Sequence, residues 1–171
     1  LELDPQSLAA ARGVSRCAER TGDPRAMAAA LRHEAGLVED RPHAARLLVR
    51  AGDIAFHDLG DARAAATDHE RALDLEPGSA DAAARLLELL LAGGEAARAV
   101  DRLSAAAAAT KSDERRTELW SEVARLQADV LDAVPAAIAS LQRVLKPHPT
   151  HVPTLRELAK LFLRESAWTE A

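Results

Sequence analysis

One cysteine, one methionine, two tryptophans, two phenylalanines and no tyrosine are found among the 171 residues. A lone Cys17 cannot close an internal disulfide, which points to a reducing compartment and to a small, buried apolar side chain. So few aromatics offer no stacking platforms, and a net charge of -5 offers no basic footprint, so nucleic acid is not an expected partner. Long apolar runs are missing too. Glu88 interrupts Leu86 to Leu91, and the alanines 105–109 lie between Ser104 and Thr110, well short of the roughly 20 residues that cross a bilayer, so no membrane insertion is expected. The first residues contain neither a methionine nor a basic and apolar leader, so an upstream signal would lie out of view. The expected location is the cytoplasm, or the periplasm if such a signal exists.

Alanine (40 residues), leucine (25) and arginine (19) are abundant instead. With 48% hydrophobic and 29% charged residues the chain can bury a core. Because Ala and Leu supply most of that apolar fraction, propensity favours helix over sheet and predicts an all-α protein. Arginine outnumbers lysine 19 to 3, which together with the alanine load fits a bacterial genome rich in G and C.

The chain repeats itself. Leu1-Glu2-Leu3-Asp4-Pro5 returns as Leu73-Asp74-Leu75-Glu76-Pro77, and Gly60, Ala65 and Ala72 return as Gly94, Ala99 and Ala106, each 34 residues later. Antiparallel helix pairs account for the pattern: small residues sit where two axes approach most closely, glycine makes the turn and proline ends the unit. This motif resembles the tetratricopeptide repeat (TPR) family. The likeness is strongest over 45–109 and implies an all-α, right-handed α-solenoid.

In that register the units run over 8–41, 42–79, 80–113, 114–151 and 152–171, with 1–5 as the tail of a preceding unit. Helices are expected from Leu8 to Arg20, Arg25 to about Glu39, His43 to Asp58 and Glu114 to Gln127, with Asp40 and Pro42 opening the third. Gly52 stands eight residues before Gly60, which suggests a one-residue insertion. The turn over 128–133 has no glycine, and Pro135 restarts the chain late. Trp120 and, in the last unit, Leu155, Leu158, Ala159, Leu161, Phe162 and Trp168 are expected to be core. Both ends cut through repeats, so a fragment of a longer array is expected, with frayed ends or self-association through uncapped repeats.

Chemistry is sparse. His33-Glu34 lacks the second histidine of a zinc-protease helix, because Leu37 stands in its place, and Gly93-Gly94 lacks the lysine and strand of a phosphate loop. His148 and His151 lack a third metal ligand nearby. No catalytic residue, cofactor or metal is expected. The TPR resemblance instead implies a concave groove lined by the first helix of each pair. By register it would present Arg12, Arg16 and Arg20, then Arg46, Asp53 and His57, then Asp81, Arg85 and Glu88. Glu118, Glu122 and Arg125 follow, then Arg156, Lys160 and Arg164. The family's carboxylate clamp uses asparagines that correspond here to Arg16, Asp53, Glu88, Glu122 and Lys160, so that clamp is absent. A mixed-charge or centrally basic peptide is the better expected partner.

The expected function is a non-catalytic protein-protein interaction scaffold binding protein or peptide in the groove. The alternatives are a regulatory or sensor segment of a larger enzyme or transcription regulator, or a periplasmic assembly factor.

Overall fold

Helix starts are written into the sequence as caps. The structure is a computed structural model that describes residues 7–169, with side chains for residues 7–165. Among the described residues there are nine helices and no strand: α1 (Leu8–Thr21), α2 (Pro24–Leu37), α3 (Arg41–His57), α4 (Ala62–Leu75), α5 (Ala80–Ala92), α6 (Ala96–Ala109), α7 (Asp113–Asp129), α8 (Val134–Leu145) and α9 (Val152–Thr169). Ser7, Asp23, Asp61, Ser79 and Ser112 each accept a hydrogen bond from a backbone N–H of the first turn. Each satisfies a donor that a helix start leaves open, and Asp23 satisfies two, those of Arg25 and Ala26. Asp40 stands at the cap of α3 without making that bond, and Pro42, preset to helical φ, opens the helix. α2 stops at Leu37 because Val38 is extended (φ -80°, ψ 123°).

Gly22, Gly60 and Gly94 turn the chain between helices at φ 67°, 67° and 73°, where a side chain would be strained. The glycine-free turn after α7 uses Asp132 at φ 51°, a region that short polar side chains enter more readily than most. Arg164 of α9 braces it, donating to the Ala128 carbonyl at 3.0 Å and to Asp132 Oδ1 at 2.5 Å. Arginine closes another helix end in the same way: Arg41 donates to the Asp74 and Leu75 carbonyls at 2.8 and 3.2 Å, tying the start of α3 to the end of α4.

The chain divides into two compact units, Leu1–Gly93 and Gly94–Ala171. In the first, α1 to α5 each pack on the next. Ala51 and Ala55 of α3 and Ala65 and Ala72 of α4 are completely buried, which is what close helix approach requires, and Leu31, Leu48, Leu86 and Leu90 fill the space around them. Cys17, expected inside, is exposed on α1.

In the second unit, α6 packs on α7, α7 on α8 and α8 on α9. Ala99 and Ala106 are buried, as are Leu119, Trp120, Val123 and Leu126 along one face of α7. The Arg143 guanidinium lies 4.6 Å from the centre of the Trp120 ring, a cation-π contact that adds to the burial. Leu158 is buried against α8 with Leu161 beside it. Leu155, Ala159 and Phe162, expected as core, are exposed, because the stripe of α9 that meets α8 is the Leu158 and Leu161 one. The Trp168 side chain lies outside the described residues.

Candidate functional site

α7 buries Leu119, Trp120, Val123 and Leu126, so its helical period turns Glu118, Ser121, Glu122, Arg125 and Asp129 to another side. There, facing Arg156, Glu157 and Lys160 of α9, they line an open cleft of about 800 Å³ with Ala124, Ala128, Leu141 and Leu161 as its apolar surface. Five residues predicted from the repeat register, Glu118, Glu122, Arg125, Arg156 and Lys160, thus share one recess. Most charges in it are paired. Arg125 grips Glu122 with Nε and Nη2 at 3.0 and 2.5 Å, Lys160 reaches Glu157 at 2.7 Å and Arg115 reaches Glu118 at 2.6 Å. The hydrogen bond to Glu122 raises the Arg125 pKa above its ordinary value, against a smaller opposing effect of burial. Asp129 makes no hydrogen bond, but its charge also acts on Arg125, and Arg156 makes no hydrogen bond or ion pair among the described residues.

In the first unit, Asp53 and His57 of α3 and Arg85 and Glu88 of α5 line a small pocket with His69 of α4. His69 was not anticipated. It is 1% exposed, its Nδ1 has no hydrogen-bond partner, and its Nε2 is 3.8 Å from Asp53 Oδ1, which Arg85 Nε approaches at 3.3 Å. The ring lies against Gly52, where a Cβ would come within 2.8 Å of Cε1 and Nε2. Gly52 is therefore the hollow that admits the imidazole. The one legible signal was this glycine inside a helix, which costs about 1 kcal/mol relative to alanine and so asks for a packing reason.

Burial lowers the His69 pKa, and the nearby Asp53 and Asp68 only partly oppose it. The folded protein thus holds a neutral imidazole, whereas an unfolded histidine gains its proton near pH 6.5. Stability contributed by His69 is present above that value and is lost as the pH falls below it. Urea midpoints between about pH 7.5 and 5.5 are expected to fall with acidification, and the slope to flatten in His69→Leu. An identical slope in that variant would assign the effect elsewhere.

Other predicted residues do not join these recesses. Arg12 is 3.4 Å from Glu34, a buried carboxylate that also accepts from Ser15 Oγ at 2.9 Å, so Arg12 serves as its counter-ion. Arg16 and Asp81 are exposed and line neither recess. Arg164 is occupied at the α7 turn. Among the described residues no three His, Cys, Asp or Glu side chains are grouped to hold a metal, and His151 Nδ1 is 2.7 Å from Thr154 Oγ1. No helix among them is long and apolar enough to cross a membrane.

No protein-family model matches the sequence, and no curated protein matches it. Solved structures do. A crystal structure of MamA protein aligns with a TM-score of 0.52 and 15% identity, over 95% of this chain and 85% of that one. A second MamA crystal structure aligns at 0.51 and 15%, over 90% and 85%. A thermophilic TPR protein of Thermus thermophilus aligns at 0.47 and 17%, over 94% and 84%, a score too low to bear on the fold. At these identities the MamA likeness speaks for fold alone. Taken with the 34-residue spacing, the turn glycines and the buried alanines of successive helices, it supports an all-α fold whose two units are each built of TPR-like antiparallel helix pairs.

Proposed function

We propose that this chain is a non-catalytic scaffold that binds a partner protein through the exposed faces of its first-of-pair helices, foremost the cleft between α7 and α9. The observation that carries this reading is the convergence of Glu122, Arg156 and Lys160 on one open recess of about 800 Å³ with an apolar base. That is the size and make-up of a site that takes side chains from a ligand, with a few charges to orient them. The fold by itself would not support the reading, since one fold serves many functions. Asp53, His57 and Glu88 form a second, smaller surface in the first unit; Arg16 and Asp81 add exposed charge there.

The test is affinity capture with the full-length protein against a variant carrying Glu122→Arg, Arg156→Glu and Lys160→Glu. All three side chains lie on the surface of the cleft, so the circular dichroism spectrum should be unchanged. The partner recovered with the wild type should fall at least about tenfold, corresponding to about 1.4 kcal/mol. Equal recovery from a folded variant would remove the cleft from the interaction.

A further inference from the structure

The cleft between α7 and α9 has a built-in direction. Arg164 of α9 touches Ala128 and Asp132 at the C-terminal end of α7, so the later half of α9 lies beside the end of α7 and the two helices run parallel. Their N-terminal ends then share one end of the cleft, and their C-terminal ends the other. Helix dipoles make the first end relatively positive and the second relatively negative.

The charges at the two ends have the same sense. Arg156 lies in the second turn of α9, near the positive end, and Asp129 is the last residue of α7, at the negative end. Glu157 and Glu118 already have cations of this chain, and the single Arg125 is shared by Glu122, which it grips, and Asp129, whose charge also acts on it, so the cleft offers a ligand one cation at Arg156 and one net negative charge at the Asp129 end. Arg156 precedes Arg164 by eight residues of helix, so the two charges are separated by about 12 Å along the cleft. Between them lies the apolar surface of Ala124, Ala128, Leu141 and Leu161.

Resting on the reading of this cleft as a protein-binding surface, we propose that its ligand is an extended peptide segment with a basic residue, an apolar residue and an acidic residue at alternate positions. The basic side chain meets Asp129, the acidic one Arg156, and the apolar one the alanine-lined surface between them. Alternate residues of an extended chain face the same side, and positions i and i+4 are about 13 Å apart, which matches the charge separation once side chains reach inward. A segment with two like charges would meet one complementary and one repelling partner.

The experiment uses the full chain and three labelled peptides in fluorescence anisotropy: acetyl-Ala-Lys-Ala-Leu-Ala-Glu-Ala-amide and its Lys/Lys and Glu/Glu counterparts. The mixed peptide is expected to bind at least about fivefold tighter than either other. Arg156→Glu should shift the preference to the Lys/Lys peptide and Asp129→Lys to the Glu/Glu peptide. Peptides that bind the cleft without these preferences overturn the dipolar ligand while leaving the scaffold reading intact. No measurable binding of any peptide also overturns it, and the capture comparison above then decides the scaffold reading separately.

Discussion

Arg32→Met is expected to destabilise the first unit by about 3–5 kcal/mol, the usual cost of stripping one partner from a buried ion pair. Asp68 of α4 is 2% exposed, and Arg32 of α2 donates to its two oxygens through Nε at 3.0 and 2.8 Å, with Nη2 2.7 Å from Oδ2. That fork, with the carboxylate beside it, raises the Arg32 pKa, and it ties the second helix of one repeat to the second helix of the next. Methionine keeps the apolar stem and removes the fork, leaving a carboxylate inside without a partner. The double variant Arg32→Met, Asp68→Leu removes both charges and should recover most of the loss. Urea unfolding of the two proteins decides it. A single-variant loss below about 1 kcal/mol, typical of a surface pair, would mean that the bridge contributes little.

Gly52→Ala should be destabilising by about 1–3 kcal/mol, although alanine is the better helix former by about 1 kcal/mol. The new methyl would sit 2.8 Å from two atoms of the buried His69 ring, and neither α3 nor α4 can give way without opening the alanine contacts between them. The sign supplies the control. In a His69→Ala background the collision is gone, so the same Gly52→Ala change should become stabilising by roughly 0.5–1 kcal/mol. Thermal midpoints of the four proteins in this cycle test it, and a destabilising effect in both backgrounds would locate the cost of Cβ elsewhere.

These two sites mark what the sequence could and could not convey. Residues that repeat at 34, such as Gly60 with Gly94 and Ala65 with Ala99, were legible because every pair of helices needs the same turn and the same close approach. Features belonging to one repeat only were not. Asp132 takes the left-handed turn that glycine makes elsewhere, and Arg164 braces it from another helix; neither has a local signature. The Gly52 and His69 fit is likewise a contact between helices, visible in the sequence only as an odd glycine. On α9 the apolar residues exceed what α8 covers, so helical period alone could not choose Leu158 over Leu155. For the cleft, register placed Glu122, Arg156 and Lys160 on first-of-pair helices. How the cations are shared, with Arg125 between Glu122 and Asp129 and Arg156 left over, depends on side-chain pairing that spacing does not reveal.

The central claim is that the face of α7 turned toward α9 is where a partner protein is held. Its most direct test is a photo-cross-linking residue placed in the full-length protein in cells, at Ser121 inside the cleft or at Gln142, exposed on α8 and outside the cleft's lining. A discrete cross-linked protein from Ser121, absent from Gln142 and suppressed by adding Arg156→Glu, is the predicted result. Cross-links of equal yield from both positions, or from Gln142 alone, would contradict the account.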